Sequence, residues 1–176
     1  NDAAKDIPAG SDGVLFLPYL TGGTNDVKEA TGCFLNMTLD TDQATLWHAV
    51  LEAIGYDYME ITDLYRGAGV DMSRITITEG GSRSEIWNQM KSDMLGSEVI
   101  TLKNAGGAVV TDCIVGAYAL GHITDMKAAL TESLEIKKLY YTNAENHDFY
   151  AKQYALQKKL VKQDMKEAFH TLKALH

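Results

Sequence analysis

The stretch most able to do chemistry is Glu79-Gly80-Gly81-Ser82-Arg83-Ser84-Glu85, continuing through Trp87, Asn88 and Gln89 to Met90. It follows Arg74-Ile75-Thr76-Ile77-Thr78, whose alternation reads as a short strand, and opens an amphipathic helical segment. A strand, a glycine pair and a capped helix start let bare backbone approach a flat or anionic ligand closely. Ser82 and Glu85 have the spacing of a capping box. On physical grounds alone, a tight strand-to-helix turn is the favoured reading of Gly80 to Ser82. Gly106-Gly107 opens a second helical segment and could take a phosphate on free amides, or serve only to let a buried helix pack.

Other chemistries find little support. No glycine precedes a Gly-Lys-Ser/Thr at the spacing of a phosphate loop, and no dinucleotide GxGxxG occurs. His48, His122, His147, His170 and His176 lack metal-ligand spacing and read as surface or partly buried residues. There is no Ser/His/Asp arrangement, and Cys33 has no base nearby. Cys33 and Cys113 sit in apolar surroundings and read as two buried, reduced thiols of a cytoplasmic protein. Asp112 lies within the apolar segment 108–120, where a carboxylate must be paired, capped or facing a cleft; a satisfied structural carboxylate is the favoured reading. Trp87 reads as a packing residue.

The elements that must position these groups follow from pattern. Gly13 to Leu20 and Gly32 to Met37 read as strands. A long helix capped by Asp40 or Thr41 carries Leu46, Val50, Ile54, Ile61, Leu64 and Tyr65, and ends at Gly67 and Gly69. The strand at 74–78 leads to a helix at about 84–95 with Gly96 as C-cap, then to a strand at 99–102. Segment 108–120 is apolar on most sides, so it reads as a buried helix packed on a sheet, with Gly116 and Ala117 permitting close approach. Thr124 caps a shorter helix, 136–141 is extended, and 145–175 reads as one amphipathic helix with lysine-rich faces. Strands alternating with helices across short glycine turns indicate an α/β domain.

The chain has 176 residues, 16 Lys and Arg against 24 Asp and Glu, and a net charge of −8. That suits one domain over 1–176 and argues against nucleic acid or an anionic membrane as partner. No apolar run reaches bilayer length, and no signal peptide is visible. The polar, unpatterned opening at Asn1 suggests a piece of a longer protein.

Several motifs in order resemble the FGGY family of carbohydrate kinases. Pro8 to Gly22, with Leu15-Phe16-Leu17-Pro18-Tyr19-Leu20 inside it, is similar to a segment of xylulose-kinase-type members. Gly32 to Met37, then Leu46 and Ala49 to Glu52, resembles a family signature, and Glu79 to Met90 its adenosine motif. Val115-Gly116-Ala117-Tyr118 and the tail with Asn143 and Asn146 also look familial. Asn36 and Glu79 stand where the family has glycine, Thr45 where it has a polar amide, acid or histidine, and Gly23-Thr24-Asn25-Asp26 replaces a Glu-Arg-Thr-Pro.

The resemblance implies an actin-like, ribonuclease-H-like α/β fold, here the carboxy-terminal part of the second lobe of a two-lobed kinase. It implies ATP and Mg²⁺ as cofactors and a sugar substrate, D-xylulose or a related ketose. Gly80, Gly81 and Ser82 would pack against the nucleotide through backbone, with Arg83, Glu85 and Asn88 along its edge. The family's catalytic aspartate matches nothing here, so no catalytic residue is assigned and this chain alone is expected to be inactive. A fragment of a lobe leaves room for a homodimer. A non-catalytic nucleotide-binding or scaffold domain on the same fold is the alternative.

Overall fold

In the computed structural model the described residues are 2–23, 27–103 and 107–175. Asn1, Thr24 to Asp26, Gly106 and His176, each part of a reading above, lie outside them. β1 (Leu15–Leu17) and β2 (Cys33–Leu35) pair antiparallel, with Phe16 opposite Phe34. A second sheet has the order β3-β4-β5, from β3 (Arg74–Ile77), β4 (Glu98–Leu102) and β5 (Ile136–Tyr140). β3 and β4 are parallel, and β5 is antiparallel to β4.

The helices are α1 (Gln43–Gly67), α2 (Glu85–Leu95), α3 (Gly107–Ala119), α4 (Met126–Ser133), α5 (Ala144–Lys159) and α6 (Lys166–Ala174). Among the described residues no helix is long and apolar enough to cross a membrane.

α2 links β3 to β4 as a parallel crossover and packs between α1 and α5. Gly55 marks where α1 and α2 meet: a Cβ there would fall 2.2 Å from Met94 Sδ. Leu51, Tyr56, Met59, Met90, Met94 and Tyr150 form the core at this crossing. Gly96 closes α2 in the left-handed conformation, φ 59°, as the sequence indicates.

Several details differ from the sequence reading. Asp42, not Asp40 or Thr41, caps α1, accepting from the Thr45 amide at 2.8 Å. Asp125, not Thr124, caps α4. The buried face of α1 holds Thr45, His48, Glu52 and Thr62 among its apolar residues, while Leu64 is 71% exposed. The apolar spacing alone therefore misplaces this face, because His48 and Glu52 find their partners in the distant Gly10–Ser11 segment. The tail is two helices joined by a π turn at 160–164, which breaks the single register.

α3 has no buried residue, and a Cβ on Gly116 would meet nothing within 4 Å. Its one extensive contact among the described residues is α4, and the three-stranded sheet offers it no covering layer. Asp112 and Cys113 are consequently exposed, and Cys33 is half-buried.

A buried polar cluster ties the N-terminal segment to α1. Glu52 accepts from the Gly10 amide and the Ser11 hydroxyl, both at 2.7 Å. His48 Nδ1 lies 2.9 Å from Ser11 Oγ. His48 is only 3% exposed, which corrects its reading as a surface or partly buried residue. The cluster holds four successive residues with positive φ: Gly10 (92°), Ser11 (49°), Asp12 (51°) and Gly13 (88°). The two non-glycines oppose this conformation by about 1 kcal/mol each.

The two residues that the resemblance places at glycine positions, Asn36 and Glu79, both have positive φ. Asn36 has φ 60°, a conformation asparagine tolerates, and donates to the Gly13 carbonyl at 3.1 Å. Glu79 has φ 58° and ψ −154°, a region essentially reserved for glycine.

Two outcomes follow for stability. Burial raises the Glu52 carboxyl from 4.5 to about 7. The native chain therefore binds more protons than the unfolded chain in that window, and stability falls as pH rises through it. Denaturation of wild type and Glu52→Gln at successive pH values should show wild type losing about 2–4 kcal/mol relative to the variant from pH 4.5 to 7. Replacing Glu79 by glycine should raise stability by about 1 kcal/mol, since relief of strain exceeds the added unfolded-state entropy. Glu79→Ala keeps the Cβ and should give no gain; thermal melts of the two variants distinguish the cases.

Candidate functional site

β3 and β4 run parallel, and ligands of open α/β sheets bind beyond the carboxyl ends of such strands. At that end of β3 the chain passes through Thr78 and Glu79 into a single 3₁₀ turn, Gly80–Ser82, and then into α2. The Glu79 carboxylate reaches the first turn of α3, accepting from the Ala108 amide at 3.4 Å. Gly107 stands beside Thr78, where a Cβ would lie 3.4 Å from Thr78 Cγ2. The turn and the start of α3 thus lie side by side.

The six residues singled out from the sequence take three different places. Gly80 and Gly81 present backbone. A Cβ on Gly80 would meet nothing within 4 Å, so that face of the turn is open. Gly81 borders an apolar groove of about 390 Å³ between α1 and the free edge of β3. Ser82 and Asn88 lie inside: the Ser82 hydroxyl donates to the Glu79 carbonyl at 2.8 Å, and Asn88 Nδ2 donates to the Ser82 carbonyl at 2.8 Å. Asn88 is 0% exposed, so it shapes the turn from beneath and borders no open surface. Arg83 and Glu85 are exposed and face a second, larger cleft of about 1020 Å³.

The capping box is not formed. α2 starts two residues later, capped by Ser84, whose hydroxyl accepts from the Trp87 amide at 3.4 Å. Glu85 instead accepts from Lys138 Nζ at 2.9 Å, and that hydrogen bond lowers its pKa. The reason is the extra 3₁₀ turn, which turns Ser82 back on Glu79 before the helix begins.

One residue of the site escaped the sequence reading. Lys91 is 2% exposed, donates to the Gly81 carbonyl at 3.0 Å and lies 3.6 Å from the centre of the Trp87 ring. Burial lowers its ammonium from 10.5 to about 8. Its position four residues after Trp87 on one helix was the available signal. Trp87 itself packs against the core and stacks on Tyr58, as expected of it.

What this arrangement can do is receive a planar or polar ligand on bare backbone, above a turn held rigid by Ser82, Asn88 and Lys91. Among the described residues, no group of three or more His, Cys, Asp or Glu could hold a metal ion.

The comparisons with known proteins agree with this geometry. Residues 1–120 match the model of the C-terminal domain of the FGGY family of carbohydrate kinases. A xylulose kinase of Staphylococcus epidermidis is 30% identical over 156 residues, 88% of this chain and 32% of that protein. The chain therefore spans about a third of the length of this relative. The crystal structure of a ligand-bound xylulose kinase from Lactobacillus acidophilus superposes with a TM-score of 0.78 at 22% identity, over 97% of this chain and 35% of that one. A Plasmodium falciparum glycerol kinase with ADP gives 0.74 at 16% identity, over 91% and 33%. These likenesses confirm the actin-like sugar-kinase fold. By its sequence match and its fold, the chain belongs to the FGGY family of carbohydrate kinases and carries that family's C-terminal domain.

Proposed function

We propose that this chain is the ATP-binding portion of a carbohydrate kinase that phosphorylates a sugar hydroxyl, with D-xylulose or a related ketose as substrate. The observation that carries the reading is the bare, open backbone of Gly80 and Gly81 at the carboxyl end of β3, within a family match over residues 1–120. The similarity to a xylulose kinase supports the sugar, and the neighbour with ADP supports the nucleotide.

In this reading Gly80 and Gly81 lie under the adenosine, and Ser82 and Asn88 keep the turn in shape. Arg83 and Glu85 stand at the rim. Lys91 adds a cation beneath the Gly81 carbonyl. Bound ATP, with Mg²⁺, supplies the transferable phosphoryl group, and phosphoryl transfer rests mostly on positioning and charge stabilisation. We assign no Mg²⁺ ligand and no general base to the described residues. Domain unity over 1–176, a cytoplasmic setting and a homodimer belong to the same proposal.

The test uses Gly80→Leu, because its side chain enters open space and should leave the fold intact. The variant should melt with the wild type yet bind ADP at least about tenfold more weakly in calorimetric titration. A lowered melting temperature with unchanged ADP binding would place the nucleotide elsewhere. In a coupled assay this chain with Mg-ATP and D-xylulose should release no ADP; sustained release would overturn the assignment of no general base.

A further inference from the structure

Glu52, Ser11 and His48 form a buried row that the glycine turn does not use. Their exposures are 1%, 0% and 3%. The Gly10 amide lies 2.7 Å from Glu52 Oε1, Ser11 Oγ lies 2.7 Å from Oε2, and His48 Nδ1 lies 2.9 Å from Ser11 Oγ. These contacts leave few places for the protons.

An amide can only donate, so Oε1 must accept from Gly10, and a proton on the Glu52 carboxyl has to sit on Oε2. There it donates to Ser11 Oγ. The Ser11 hydroxyl then donates to His48 Nδ1, which must be bare, and the neutral ring carries its proton on Nε2. With Glu52 ionised, the row reverses. Ser11 donates to Oε2, its oxygen accepts from His48 Nδ1–H, and Nε2 is bare. The carboxylate also favours this arrangement directly, since Nδ1 lies 3.4 Å from Oε1. The two states differ by one proton, lost to solvent: the carboxyl has given one up, and the ring still holds one, now on Nδ1.

We propose that these three side chains are a proton relay, in which ionisation of buried Glu52 switches the uncharged His48 ring from its Nε2–H to its Nδ1–H tautomer. The groups around the pair are few. Asp12 of the N-terminal segment opposes the fall at His48, Tyr150 of α5 hydrogen-bonds Glu52, and Tyr56 of α1 feels the Glu52 charge. β1 adds only apolar side chains, α2 brings Asp93 to Tyr150, and Lys5 lines the same cleft as His48. Burial raises Glu52 to about 7 and lowers His48 to about 4, so the ring stays neutral while the carboxyl titrates. Because His48 lines the larger cleft, ionisation in the core reaches that wall as a change of tautomer at constant ring charge. The relay does not depend on the kinase reading.

The experiment is NMR of this chain from about pH 5.5 to about pH 8.5, reading the His48 ring nitrogens through their two-bond proton couplings beside the Glu52 carboxyl carbon. With rising pH, Nδ1 should pass from the bare to the protonated pattern and Nε2 the reverse, at one midpoint shared with the Glu52 carbon. The pattern of a cationic ring should not occur. Glu52→Gln mimics the protonated carboxyl: its amide oxygen accepts from Gly10 and its NH₂ donates to Ser11. That variant should hold the Nε2–H tautomer across the whole range. The shared midpoint in wild type decides the matter even where the variant does not fold. A tautomer that stays constant while Glu52 titrates would overturn the relay, as would a cationic ring in that range or an inversion that persists in Glu52→Gln.

Discussion

The arrangement depends on a row of buried polar side chains on α2, each of which must find a partner because desolvation without one costs several kcal/mol. Asn88, Lys91, Ser92 and Asp93 are all buried. Asn88 holds the Ser82 carbonyl, and Lys91 holds that of Gly81. The Ser92 hydroxyl serves the Ser97 carbonyl at 2.8 Å and the Tyr140 carbonyl at 3.1 Å. Asp93 accepts from the Asn143 amide at 2.9 Å and from Asn146 Nδ2 at 2.8 Å. One helix thus fixes the glycine turn, the entry to β4, the end of β5 and the cap of α5. Apolar packing against α1 supplies the driving force, but the polar row sets which segment lies where.

Asn36 and Glu79, which the resemblance places at glycine positions, both have positive φ in this chain. Asn36 meets the left-handed demand at little cost, because its short amide tolerates that region and bonds the Gly13 carbonyl. Glu79 is a harder case: its ψ of −154° lies where a Cβ is crowded. The partial return is its carboxylate at the first turn of α3, where the unpaired amides and the helix dipole favour negative charge. Both side chains thus find a nearby partner in a backbone conformation that favours glycine.

The turn and its flanking elements were legible in the sequence because several local signals coincide. Alternation marks β3, Gly96 marks the end of α2, and the glycine pair leaves little choice between them. The buried face of α1 was less legible. Its His48 and Glu52 are satisfied by Ser11 and Gly10, about forty positions away, and no local periodicity reveals such partners. The same limit applies to Lys91, whose burial depends on the Gly81 carbonyl and the Trp87 ring meeting over it. Segment 108–120 fails differently: the apolarity is real, but which layer covers a helix is a property of the whole assembly. The tail reads as one helix because the π turn at 160–164 preserves apolar residues such as Leu160 and Val161 while shifting their register.

Placing an ammonium beneath the glycine turn has a consequence for ligand choice. Lys91 is held by a neutral carbonyl and an aromatic face, and no carboxylate pairs with it among the described residues. It lies beside the groove that Gly81 borders. Burial disfavours the charged form and lowers its pKa to about 8. An anionic ligand in that groove would offset this and gain from the charge at once. In the proposed nucleotide-binding reading, the bare glycine backbone would recognise shape, and the buried lysine beneath it would add a preference for negative charge.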